Sequence, residues 1–300
     1  MNSVPSTFEY RLLPESAWEE RRQQYQDDLR PYADERLVRM ASQVKHPIND
    51  FLFEYYPLRP GQLLRWSPGP DVILANAQRK KTDWPVEGEQ LEEGVVISTS
   101  GFPDHRVDYL DWALDYLRAT GERTPNWNCF GLHEWAMVYR TQEIRHASTP
   151  LRLTSSEIAA VVEDLGLRCT HYDAYRFFTP ESLPKNRIAL TRQTTVENDQ
   201  PACVHVCMDL YKFSQKIIPW IESEIVRDSF LLAWEARQID MRASPYDVKK
   251  FGLEPIPIET RNGREEYLIH QKRLSQMAEP VRQKILAAYR YLQERKSRQR

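Results

Sequence analysis

The stretch WIESEIVRDSFLLAWEARQIDMRAS, Trp220 to Ser244, decides the fold class. It holds neither glycine nor proline, and Ile221, Ile225, Phe230 and Leu232 alternate with charged residues at helical spacing. Pro219 suits the first turn of such a helix, and Pro245 closes the run. Its C-terminal end gathers Glu235, Arg237, Asp240, Arg242 and Asp247. Carboxylates near a helix C-terminus are disfavoured by the dipole, so a network with the two arginines is expected. Asp240, if buried, would carry a perturbed pKa.

Helical patterns continue on both sides of this segment. Glu15 to Gln43 is charged and helix-favouring, and Pro31 is expected to divide it into two helices. Asp104 is placed to cap a helix carrying Val107, Leu110, Leu114 and Leu117 on one face and ending before Gly121. Asn126 to Arg140 is expected as a buried helix. Thr154 to Glu157 is a capping box for a helix closing before Gly166. A last helix is expected from about Pro280, and Asn262-Gly263 reads as a hairpin turn. DVILANA and EGVVISTS read as two short strands of a hairpin with a charged loop between them, Gln78 to Glu93. The expected fold is mainly α with a minor antiparallel β component, in one compact domain over 1–300. Residues 1–44 would form an N-terminal helical arm and residues 294–300 a disordered basic tail.

Composition narrows the function. Ten glycines in 300 residues, with no GxGxxG and no GxxxxGK[ST], argue against Rossmann and P-loop nucleotide sites. The net charge of −2 and pI of about 6.4 lack the basic excess of a dedicated nucleic-acid binder, although a local groove remains compatible. No apolar signal core and no membrane-length apolar run occur, and the four cysteines form no CxxC. A reducing cytoplasmic location, with these cysteines as thiols, is expected. Cys203, His205 and Cys207 would share one face of a strand and so chelate a metal, but a helix would scatter them.

Four segments set a histidine just ahead of a carboxylate within an aromatic stretch: His46/Asp50, His133/Glu134, His171/Asp173 and His205/Asp209. Only seven histidines exist in the chain, so the concentration asks for an explanation. A spacing of four on a helix places both side chains on one face. Converging imidazoles and carboxylates would hold zinc, iron or manganese, with His46, His133, His171 and His205 as ligands. Alternatively, a His–Asp pair would activate water. Each histidine could equally serve a buried polar network.

HPINDFLFEYYPLRPGQLLRW, NWNCFGLHEWAMVYR, DAYRFFTP, MDLYKF and DMRASPYD together resemble a bacterial family, frequent in actinobacteria, whose members are commonly named 3-methyladenine DNA glycosylase. The resemblance extends from about His46 to Leu268. It implies hydrolytic release of alkylated purines from DNA, without a cofactor. The Gly-rich hairpin of helix-hairpin-helix glycosylases is absent from this sequence, so no catalytic residue carries over. Residue chemistry then assigns the parts. Tyr55, Tyr56, Trp66, Trp127 and His133 would wall the base pocket, and Arg59, Arg65 and Lys212 would hold phosphates. Asp50 or Asp209, beside His46 and His205, would stabilise the sugar cation or orient water. Two other readings stand beside this one. The first is a metal-dependent hydrolase or oxygenase of a small molecule, and the second a non-catalytic binding protein. No membrane partner is expected under any of them.

Overall fold

The computed structural model describes residues 10–78, 88–144 and 148–298. Its architecture is mainly α with a small sheet. The strands are β1 (Arg11–Leu13), β2 (Val72–Ala75), β3 (Glu89–Gln90) and β4 (Gly94–Val96). They lie in the order β1-β2-β4-β3, with β1 parallel to β2 and the other pairs antiparallel. The expected β2–β4 pairing is present, but β1 makes the sheet mixed. Most of the loop expected between those two strands lies outside the described residues.

The helices are α1 (Glu15–Ala41), α2 (Phe51–Tyr55), α3 (Pro60–Leu63), α4 (Val107–Glu122), α5 (His133–Ala136) and α6 (Ser155–Leu165). They continue with α7 (Tyr172–Tyr175), α8 (Thr195–Asn198), α9 (Val204–Lys216), α10 (Ser223–Arg242) and α11 (Arg261–Ser297). At the centre is α9, buried on every side from Val204 to Gln215 except at His205 and Lys212, which are half-buried. Along it lies α10, whose buried positions Val226, Phe230, Ala233, Arg237 and Asp240 keep a three-to-four spacing. Against this pair pack α11 and α1, and α4 lies on α11. One apolar cluster draws residues from Trp18 to Leu292.

Local signals misplace several helix ends. α1 runs through Pro31 unbroken, because Trp18, Tyr25, Leu29 and Ala33 form a buried stripe that crosses the proline. The expected N-terminal arm is therefore packed on the body, while residues 1–9 lie outside the described residues. α11 begins at Arg261, well before Pro280, and its stripe of Tyr267, Leu274, Ala278, Val281 and Ile285 crosses that proline in the same way. The tail expected to be disordered is helical to Ser297, and buried Lys296 pairs with Asp104 at 2.7 Å. Residues 299–300 lie outside the described residues. Asp104 opens a short 3-10 turn ahead of α4, whose N-cap is Arg106, and α4 runs past Gly121 to Glu122.

Asn262-Gly263 opens α11 and makes no hairpin. Thr260 Oγ1 accepts the Gly263 N–H at 3.0 Å, and a Cβ at 263 would collide with the Pro257 carbonyl. Pro219 stands ahead of α10, which starts at Ser223. Between Asn126 and Arg140 only His133–Ala136 is helical, although Leu132 to Tyr139 is buried throughout. Thr154 caps α6 as its sequence predicts, and Gly166 ends it at φ 68°. Among the described residues no helix is long and apolar enough to cross a membrane.

Candidate functional site

A cavity of about 330 Å³ opens where five short or central helices meet. Phe51 and Tyr55 line it from α2, His133 and Glu134 from α5, Asp173 from α7, His205 and Asp209 from α9, and Arg237 from α10. His171, just ahead of α7, completes the polar side. The four-residue spacing of His205 and Asp209 on α9 turns both toward this space.

Three histidines converge here. The His133 and His205 rings meet edge to face at 4.1 Å, and His205 stacks on His171 at 5.4 Å and 12°. His171 Nδ1 lies 3.1 Å from both oxygens of buried Asp199, whose Oδ2 accepts the Tyr116 hydroxyl at 2.7 Å. That partnership leaves His171 Nε2 facing Asp209 Oδ2 at 3.9 Å. Burial alone would lower the His171 pKa, but Asp199 and then Asp209 outweigh it and the net shift is upward. His205 shifts the other way, well down, through burial and then the neighbouring His133, His171 and Arg237. Two imidazoles of one cavity are thereby held at different protonation tendencies.

Behind His133 lies a buried acid–base cluster. Arg237 Nη1 donates to Glu134 Oε1 at 3.0 Å and to Asp240 Oδ2 at 2.7 Å, and its guanidinium covers the Phe51 ring. Asp240 is fully buried, and burial raises its pKa against the pull of His133 and Arg237. Its second oxygen, Oδ1, accepts no hydrogen bond and stands 3.6 Å from His133 Nε2. On the other side of the cavity Lys212 Nζ bridges Asp173 at 3.2 Å and Asp209 at 3.0 Å. These carboxylates raise the lysine pKa against its burial.

Two sets of three ligand-type side chains therefore face common points: His133, His205 and Asp240, and His171, Asp173 and Asp209. In each set the donor atoms lie within 4.8 Å of one another. No family model, curated protein or solved structure matches this chain. The chemistry of the site thus rests on its own geometry.

Several residues expected at the site lie elsewhere. Asp50 is clamped by Arg36 at 2.6 Å and Arg39 at 2.7 Å, and accepts the His46 N–H at 2.8 Å. His46 Nδ1 accepts the Asn49 N–H at 3.0 Å and its ring leans on Phe251. Both therefore serve the turn ahead of α2. Trp66 is a core ring that donates to Glu224 at 3.1 Å, outside the cavity. Trp127 is half-buried and faces Lys272, while Arg59 and Arg65 are exposed and line no part of the cavity. Tyr55 and Tyr56 do line it, and the Tyr56 hydroxyl reaches Asp209 at 3.4 Å. Cys203 and Cys207 lie at the start of α9, which excludes the strand arrangement that would let them chelate with His205. Burial raises both thiols, Cys207 to about 12, and keeps them protonated.

Asp199 and Arg237 belong to the site although the sequence assigns them no such role. Arg237 and Asp240 are three apart on α10, a helical spacing visible in the sequence. Asp199 follows α8 in an irregular segment, and no pattern there points to His171.

Proposed function

We propose that the protein is a metal-dependent enzyme acting on a small molecule, with His133, His205 and Asp240 as the ligands. One observation carries this reading: the unpartnered Asp240 Oδ1 beside His133 Nε2, at 3.6 Å. A buried carboxylate oxygen without a donor is costly. The spacing is too long for a hydrogen bond, yet close to the roughly 3.3–3.4 Å edge that bonds of 2.0–2.1 Å give around a tetrahedral ion. The depressed pKa of His205 favours the neutral imidazole that ligation needs. The other set is less suited, because the Lys212 ammonium already sits between Asp173 and Asp209.

A divalent ion held there would supply Lewis-acid polarisation or an activated water. The remaining groups divide the proton work. Asp199 keeps a proton on His171 Nδ1, so His171 is set as the general acid and Asp209 receives or returns protons through Nε2. Phe51, Tyr55 and Phe177 shape an apolar half of the cavity for the body of the substrate.

The test is metal content by plasma mass spectrometry on untagged protein. About one equivalent of zinc, iron or manganese is expected, with loss in His205→Ala and Asp240→Ala at retained helicity. Protein that stays metal-free after reconstitution with each ion in turn would overturn the reading.

Base release from alkylated DNA is the second reading. It is favoured by the family resemblance and by the aromatic residues beside Asp209 in a cavity large enough for a purine. Under it Asp209 is the carboxylate, and Asp50, held by two arginines, has no part. A free-base assay on methylated DNA separates the two readings, because release by metal-free protein requires this one.

A further inference from the structure

A second cavity, of about 620 Å³, shares His171, Asp173 and Asp209 with the first, and Lys212 lines it too. Aromatic rings form part of its wall. Trp112 stacks on Tyr116 at 5.5 Å and 21°, and Tyr116 on Phe213 at 4.9 Å and 24°. Tyr116 and Phe213 are buried, whereas Trp112 is 42% exposed. Tyr109 also approaches the indole, at 5.7 Å and 30°, and the part of Trp112 that stays exposed offers a surface for a further ring.

The charge around this stack is net positive. Asp173 and Asp209 are the two carboxylates lining the cavity, and Lys212 is bonded to both. Arg176 also reaches Asp173, at 3.4 Å. Arg192 and Lys216 line the same space, are exposed, and form no ion pair among the described residues. Two cations without an ion pair among the described residues therefore line the same cavity as an exposed indole. The first cavity has no such pair, since its arginine is tied to Glu134 and Asp240.

We propose that this cleft binds a small planar aromatic anion, a ring bearing a phosphate or carboxylate such as a nucleoside monophosphate, with the ring on Trp112 and the anion on Arg192 and Lys216. The combination is selective in both halves. A neutral ring forgoes the two cations, and a bare phosphate forgoes the stack. The volume falls within the range that holds a small ligand of this kind. The site does not depend on metal in the neighbouring cavity.

Calorimetric titration of the full chain with AMP, phenyl phosphate, adenosine and inorganic phosphate tests the assignment. AMP and phenyl phosphate are expected to bind saturably and to weaken with added salt. Trp112→Leu is expected to weaken AMP about tenfold or more, in line with the loss of one stacked base. Arg192→Ala with Lys216→Ala is expected to weaken both ring-bearing phosphates. All three side chains are half-exposed or exposed, and circular dichroism would confirm that the variants fold. The assignment fails if neither ring-bearing phosphate binds in the millimolar range, if inorganic phosphate binds as well as AMP, or if the variants bind AMP unchanged. A single-stranded oligonucleotide that binds where AMP does not would also overturn it, and would make the cleft a nucleic-acid groove.

Discussion

His46/Asp50 and His205/Asp209 have the same spacing and opposite fates. Asp209 stays in the cavity because α9 presents it there beside His171. Asp50 is taken by Arg36 and Arg39 of α1, which makes His46 a structural acceptor for the Asn49 N–H. Burial and then Arg39 lower the His46 pKa below 6.5. A histidine depressed in the folded state binds fewer protons there than in the unfolded chain. Its contribution is therefore complete above about 6.5, the ordinary imidazole value, and lost as pH falls through the folded value. Urea unfolding between about pH 7 and pH 5 should show a steeper loss for wild type than for His46→Asn. Equal slopes would mean that His46 titrates alike in both states. Asp199 supports a different expectation. Asp199→Asn removes the negative charge from His171 Nδ1, so the His171 pKa measured by NMR should fall. An unmoved resonance would show that Asp209 alone sets that protonation. The sequence makes His171 visible but not Asp199, because the pair joins residues brought together only by the fold.

At the level of elements, the sequence is most readable where a rule is local and satisfied locally. The Thr154 capping box and the periodicity of α10 are of that kind. It is least readable where packing over several turns overrides a residue. A proline inside a helix costs about 3 kcal/mol, and four buried side chains on one stripe contribute more than that. Pro31 and Pro280 are both carried in this way. Asn262-Gly263 shows a third reason, since its glycine serves close approach and not a turn. The start of α11 is pressed against Pro257, where a Cβ has no room. Gly263→Ala is therefore expected to destabilise by about 1–3 kcal/mol despite alanine's better helix propensity. Denaturant unfolding checks this, and a stabilised variant would mean that the α11 start can shift away from Pro257.

Across the whole molecule, the candidate metal ligands tie together segments that lie far apart in the chain. His133 comes from α5, His205 from α9 and Asp240 from α10, and α9 and α10 form the packed centre of the fold. An ion shared among them would favour the folded chain over the unfolded one, where the three ligands are not assembled. At free metal about a hundredfold above the dissociation constant, that linkage is worth about 2.7 kcal/mol. For a chain of 300 residues it corresponds to a Tm change of about 4 °C. Chelation should therefore lower the Tm of wild-type protein by that order, and re-addition of the ion should restore it. Asp240→Asn should already melt lower and should not respond to chelator. If wild-type protein contains metal but chelation leaves its Tm unchanged, the ion is not held by these three ligands, and the unpartnered Oδ1 of Asp240 needs another donor. Trp112→Leu should keep the full chelator response, because it replaces none of the three ligands and its ring meets α9 at Phe213, about two turns along from His205.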